Sequence, residues 1–494
     1  MADLEIVSAM TTLHYLSHRP DEVLDALRRG EIVALETATE ELTDFFVLYA
    51  LESGLLDQLA ATFPDPRQQQ PEIPMRLLLA AGMAGHFAGL YALSQSPYAL
   101  HSPRLLAELG VQVEVMQQGD GLSRKGTKQE VAFHADVLRK MLDTLAWKEQ
   151  QAGQKPAESL IAWYNQQVGR LFCEAAHAEP MLHILDCTDL IVPVGSQRYE
   201  GSGISTKNKV AERGYKLGTL RSLLDRGALL TGIGWGPLQA HDRTVTGSLL
   251  RTTQMLHPGD TLLYDRGFLD GADITYLKQE RQVDVCTGLK SDMNFFKACV
   301  VSAEANPGAW RAHPTRKHQQ IQLVCGLSGL WAELGVPMNT CVVRKTDPKT
   351  GEIEYFCFVC TDLSLSAKQV IELYQTRPEI EEDYRQLKSQ SWHIDVFHAT
   401  RQVPILWHVI LTLLAYNLFQ VYANTKAGRA FANKTKQKLQ RERQRNPPTY
   451  LLVCTENAYG FYETKSLLFV LLDLPDEVRG KIRNLLPKTL GPPG

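Results

Sequence analysis

The order of apolar runs between residues 181 and 289 limits what this chain can fold into more than any other feature. Met181 to Val194 is one apolar run with Asp186 in its middle. Gly214 to Leu224 and Ala228 to Leu238 read as two more strands, joined by Asp225-Arg-Gly227. Thr244 to Leu256 reads as a helix, Asp260 to Asp265 as a strand, the stretch through Glu280 as a helix, and Val283 to Leu289 as a closing strand. Three strands, then helix and strand in alternation, predict an α/β domain.

The flanks differ from this core. Residues 1 to about 155 read as mainly helical, with apolar residues at helical spacing from Asp44 to Leu59 and from Met75 to Leu93. Pro64 to Pro71 is a proline-punctuated break, Ser123 to Lys128 a basic loop or helix start, and Gln151 to Pro156 a linker. The Gly85/Gly89 pair has the spacing that lets helices approach closely, and tight core packing accounts for it. From Lys290 to about Ser364 the pattern is β-rich, with strands expected at Gln319–Cys325, Thr340–Lys345 and Glu352–Thr361. Helical patterning returns from Ser366 through Lys388 and again from Ile405 to Tyr422. The segment Lys426 to Arg445 carries eight basic residues and one acid, Glu442, and suits a phosphate-binding helix or arm. These shifts divide the chain into a helical region at 1–155, a core at 156–289 and 365–425, a β-rich insertion at 290–364 and a basic helical region at 426–494, the last suited to DNA contact or dimerisation.

A hydrophobic content of 44% and a charged content of 22% are those of a globular protein. The net charge of -3 argues against a surface coated in positive charge, while leaving room for local basic surfaces. Nine cysteines without a framework read as reduced thiols of a cytosolic protein. Cys357-Phe-Val-Cys360 reads as part of a buried strand, because a zinc site needs about four ligands and no second pair has the spacing. The acidic opening, Met-Ala-Asp-Leu-Glu-Ile, does not read as a secretory signal. Val403 to Tyr422 has nearly the length of a membrane span, but Pro404, His408, Asn417 and Gln420 fit a buried helix better.

Three acids fall where such an architecture would gather them. Asp186 lies within the first strand, and a period of two sets Asp186 and Thr188 on one face and Asp189 on the other. Asp265 ends the fourth strand before a Gly-containing turn, a position open to a cleft. Glu381 lies on the late helix. Three carboxylates in one place repel each other, and hard divalent cations resolve the conflict. A pair of such ions suits in-line phosphoryl transfer. Around Glu381, Tyr374, Arg377 and Lys388 stand at offsets that fall on one helical stripe, with Arg377 and Lys388 suited to phosphates. Pro378 allows a second arrangement, with Tyr374 and Arg377 on a turn before the helix.

These pieces resemble the cut-and-paste DDE transposases of the bacterial insertion-sequence-four family. The family signature Tyr-x2-Arg-x3-Glu-x6-Lys is met by Tyr374, Arg377, Glu381 and Lys388 without a gap. Asp186-Cys-Thr188 is similar to its first-acid motif, and Leu263-Tyr-Asp265-Arg266 to its second. The resemblance implies a ribonuclease-H-like catalytic core interrupted by a β-rich insertion. It also implies cleavage at transposon ends and strand transfer into target DNA, with Mg2+ or Mn2+ held as two ions by Asp186, Asp265 and Glu381. Tyr374, Arg377, Lys388 and Arg266 are then expected to contact DNA, in a homodimer that holds two ends in the bacterial nucleoid of the cytoplasm. End recognition would fall to the N-terminal region, by position alone. An aromatic residue of the insertion would receive a flipped base, with Trp310, Trp331, Tyr355, Phe356 and Phe358 all open for that role. Two other readings share the same fold: a nuclease without strand transfer, and a catalytically silent DNA-binding regulator.

Overall fold

The computed structural model describes residues 17–39, 42–67, 71, 73–100, 103–109, 133–176, 179, 182–193, 199–207, 209–225, 227–388, 392–424, 449–456 and 458–485. The basic stretches at 123–128 and 426–445 lie outside the described residues. The described residues fall into two compact units, one within 153–432 and the other within 1–152 and 433–494.

The second of these departs from the sequence expectation. Its N-terminal part carries the helices Leu42–Glu52, Leu55–Thr62, Met75–Ala88 and Asp136–Gln151, but also a strand, Ala34–Thr39. That strand pairs antiparallel with Thr449–Cys454, which in turn pairs with Ala458–Glu463, so the C-terminal region holds a hairpin as well as helices. The physical cause is a period-two pattern in a short run. Leu451 and Val453 alternate inward and meet Val23, Leu27 and Leu35 in one buried cluster. Gly89 is the left-handed cap of the helix Met75–Ala88, with φ of 88°, so the Gly85/Gly89 pair marks a helix end.

The unit at 153–432 is a mixed α/β structure. Its strands in chain order are β1 (Leu182–Val192), β2 (Val210–Leu223), β3 (Ala228–Pro237), β4 (Thr261–Tyr264), β5 (Asp284–Gly288), β6 (Gln319–Leu327), β7 (Met338–Thr346) and β8 (Ile353–Cys360). The helices are α1 (Asp242–Thr252), α2 (Gly271–Gln279), α3 (Asn294–Glu304), α4 (Ala367–Tyr374), α5 (Glu379–Lys388) and α6 (Gln402–Asn424). Two short strands, Gly203–Lys207 and Arg311–Ala312, lie at the sheet edges.

β1, β2 and β3 form an antiparallel meander, and β4 and β5 add parallel to β1. The β-rich segment does not form a separate sheet. β8 pairs antiparallel with β5, and β7 and β6 follow, so one sheet continues through the insertion. The cause is local: the end of β8 is as apolar as β5, and burying both edges against each other leaves neither exposed. The insertion also contains α3, which sequence patterning had not separated from its β-rich surroundings.

α6 is the apolar segment of membrane-span length. It has a mean hydropathy of 1.5 over its most apolar stretch, 89% of which is buried inside the protein. Trp407 and Tyr416 are fully buried, and Asn417 hydrogen-bonds both the amide and the carbonyl of Leu230 on β3. A buried Leu or Ile contributes about 1.5–3 kcal/mol, so this helix is a main source of cohesion. At the start of the sheet, His183 links Ser222 at 2.9 Å to Asp260 at 3.1 Å. All three side chains are buried, so this Ser–His–Asp set pins β1, β2 and the approach to β4 and is closed to any substrate.

The nine cysteines are free thiols. Cys357 and Cys360, three apart on β8, point to opposite faces, with Cys357 toward Cys299 and Cys360 opposite Cys286 on β5. Burial pushes the Cys341 thiol up to about 12, in keeping with a packed strand.

Candidate active site

The sheet brings two of the acids together by register. Leu185 on β1 pairs with Tyr264, the last residue of β4. Asp186 and Asp265 are the next residue on each chain segment. β4 stops there while β1 runs on to Val192 beside β2, which opens a crevice at the carboxyl end of β4. Asp265 caps the following turn, its Oδ1 accepting the amide of Arg266 at 2.8 Å. The Arg266 side chain is exposed.

The third acid arrives on α5. α4 starts at a capping box, in which Ser366 and Gln369 satisfy each other's amides. Tyr374 ends α4, residues 375–378 form a turn, and α5 begins at Glu379. Pro378 has no amide hydrogen to continue the helix. Tyr374 and Arg377 therefore do not share one unbroken stripe with Glu381 and Lys388, and the second arrangement is the one found. Glu381 and Lys388 remain two turns apart on α5, within about 20° of the same face.

Buried hydrogen bonds lock α5 to its neighbours. Arg221 on β2 donates to Asp383 at 2.5 Å and to Glu379 at 3.0 Å. Tyr416 on α6 donates to the other oxygen of Asp383 at 2.8 Å. Tyr384 donates to the main-chain carbonyl of Asp186 at 2.8 Å and lies 2.7 Å from the hydroxyl of Thr219, the residue directly across from Asp186. Despite the Arg221 guanidinium, burial holds the Asp383 carboxyl above its ordinary value. Sequence reading missed these groups. Arg221 and Asp383 are ordinary charges in the sequence, and only their joint burial marks them.

Arg377 lies at the centre. One Nη donates to Asp186 at 2.8 Å and lies 3.9 Å from Asp265, and the other donates to Glu381 at 2.9 Å. Its Nε is buried without a partner. The Tyr374 hydroxyl donates to Asp265 at 3.4 Å. Sequence reading assigned Arg377 to phosphates; here it faces carboxylates, because gathered negative charges attract the nearest fixed cation. Burial lifts the Asp186 carboxyl to about 6. Arg377 and the Cys187 amide oppose that lift, while Asp265 and Glu381 add to it. Burial, reinforced by Asp265, also raises the Tyr374 phenol.

The donor set is all carboxylate oxygen, the kind that hard cations such as Mg2+ and Mn2+ take. The carboxylates are spanned by the guanidinium, and among the described residues no group of three or more His, Cys, Asp or Glu converges as a metal set. In ligand chemistry the acids fit a divalent ion, and the seat between them is taken by Arg377.

Beside Tyr374 opens a cavity of about 350 Å³. Phe356 and Phe358, alternate residues on one face of β8, line it with Tyr374, and the Phe358 and Tyr374 rings lie 4.6 Å apart. His313, Arg316 and Lys345 line it as well. Burial and Arg316 hold the His313 imidazole below its ordinary value, and its Nδ1 accepts two amides. Tyr355, on the opposite face, is bound to Glu304, and Trp310 is buried under Arg344. Trp310 is thus held in packing, and Tyr355 in an exposed side-chain bond on the far face of β8.

Residues 191–418 match the family model described as the transposase DDE domain. The matched stretch begins just after Asp186 and includes Asp265, Arg266, Tyr374, Arg377, Glu381 and Lys388. The match supports a DDE transposase acting on DNA. No curated protein matches the chain.

Proposed function

We propose that this chain is a cut-and-paste DNA transposase of the insertion-sequence-four type, built on a ribonuclease-H-like core. The observation that carries the reading is the meeting of Asp186, Asp265 and Glu381, from two strands and a helix far apart in sequence, around one guanidinium. The strand order β3-β2-β1-β4-β5, antiparallel then parallel, supports the core assignment. Asp186, Asp265 and Glu381 would hold divalent cations, Mg2+ or Mn2+, as a pair. When bound, such ions supply charge neutralisation at the scissile phosphate and a nucleophile at neutral pH.

The chain's own residues supply position. Asp186 is fixed from both sides, by the Cys187 amide on its carboxylate and by Tyr384 on its carbonyl. The Tyr374 phenol orients Asp265. Arg266 and Lys388 are the groups we assign to the DNA backbone beside the cut, with Tyr374 and Arg377. The Phe356/Phe358 cavity suits an unstacked base, since an aromatic floor binds any base face and Arg316 and Lys345 suit the attached phosphates. We further assign transposon-end DNA and target DNA as substrates. A homodimer would hold both ends, in the bacterial cytoplasm.

The test is cleavage of a plasmid carrying the gene with its native genomic flanks, in Mg2+, by wild type and by Asp265→Asn. Excision and joined products from the wild type alone are expected. Equal activity in both would reject the assignment, and excision without joining would favour a nuclease.

A further inference from the structure

We propose that Arg377 is the resident counter-ion of the acid cluster, and that it gives up the carboxylates when divalent cations load, which frees its guanidinium for a DNA phosphate. The inference rests on the metal reading above and deepens it. Four observations lead to it.

Arg377 reaches all three acids at once, at 2.8, 2.9 and 3.9 Å. It thus takes the lone pairs that a cation would need, so the two compete for the same oxygens. The seat is also incomplete, because Nε is buried without an acceptor while both Nη groups are engaged. A guanidinium with a buried idle donor gains by moving to a group that accepts more of its hydrogens, and a phosphate takes two in parallel. The residue is placed to move as well. It lies on the four-residue turn between α4 and α5, outside both helices, so its side chain can re-aim without breaking a helix. Finally, its bond to Glu381 is exposed, with 61% of that side chain in solvent, so this bond is the easiest to release.

The same side chain cannot neutralise the acids and hold DNA at full strength. Without cations it keeps three like charges together and the crevice formed. With cations it becomes a phosphate ligand beside the cut. Metal loading and DNA binding are thereby coupled, each favouring the other by the same factor.

The test uses the full chain, without DNA, and Mn2+ alone as probe, with free Mn2+ followed by electron paramagnetic resonance. Wild type should bind Mn2+, and Asp265→Asn should lose that binding. Arg377→Gln should bind Mn2+ at least about tenfold more tightly than wild type, since a competing charge within a few ångströms is removed. Arg377→Lys, which keeps the charge but not the fork, should fall between them. Thermal melting should show Arg377→Gln below wild type without Mn2+, and the gap should narrow as Mn2+ is added. Unchanged or weaker Mn2+ binding in Arg377→Gln, with Asp265→Asn still defective, would overturn the exchange and leave the metal reading standing. Wild-type binding that does not depend on Asp265 would instead remove the metal reading itself. Should Arg377→Gln fail to fold, Arg377→Lys decides, because affinity equal to wild type overturns the proposal and tighter binding supports it.

Discussion

The phenol of Tyr384 donates to the main-chain carbonyl of Asp186 at 2.8 Å, so the helix carrying Glu381 is tied to the strand carrying the first acid by one buried bond. Tyr384→Phe leaves that carbonyl and the Thr219 hydroxyl without their partner. The expected cost is about 1–3 kcal/mol in urea unfolding. Single-turnover cleavage should fall more than about tenfold, since small misplacement of catalytic groups is expensive. A stability loss with an unchanged cleavage rate would show that the tie is architectural only.

Arg221 and Asp383 form the second tie, at 2.5 Å with both side chains buried. Arg221→Leu strands a buried carboxylate and should cost about 3–5 kcal/mol. Adding Asp383→Leu should return part of that loss, because no uncompensated charge then remains. Urea unfolding of the two single variants and the double one measures the coupling, and additive losses would contradict a direct pair.

Asp186 predicts a pH effect whose sign is opposite to that of most paired acids. Its folded value, raised to about 6, lies above the ordinary carboxylate value of 3.8, so the folded protein holds the proton more tightly than the unfolded chain does. Stability from this group is full below about pH 4 and is lost as the pH rises toward and through about 6. At pH 7 the ionised form then costs on the order of 3 kcal/mol. Asp186→Asn should therefore raise the melting temperature at pH 7 without divalent ions, and the gain should disappear by about pH 4. A gain that is flat across this range would contradict the burial argument.

The cavity beside Tyr374 separates two kinds of binding. Neutralising Arg316 and Lys345 should lower the salt slope of DNA binding by ~0.9 for each phosphate that is no longer gripped. Phe356→Ala should weaken DNA binding by about 1–3 kcal/mol with Mn2+ affinity unchanged. Gel-shift titrations over a range of salt measure both. Slopes and affinities equal to wild type would remove the cavity from the DNA path.

Much of the 153–432 unit was legible because its strands carry their own pattern. β1, β2, β3, β4 and β5 stand within a few residues of where apolar runs and turn residues put them. The hairpin at 449–463 was not legible, since its alternation is short and follows a long basic stretch that dominates the local composition. The break at Pro378 had an explicit signal, and the lost amide decided it. Arg221, Asp383 and Tyr384 gave no signal. A charge or phenol in a strand or helix is ordinary until its burial is known, and burial is a property of the partner surface.

The chain by itself determined which residue types were available, their order, and the periods that make them strands or helices, because those depend on neighbours a few positions away. Tertiary structure alone decided that the insertion's strands continue the main sheet, that the N- and C-terminal strands pair, and that a guanidinium sits among three carboxylates. Those outcomes depend on edges and charges that meet only after the chain has closed loops of tens to hundreds of residues, and no local pattern encodes which distant group will fill the space between them.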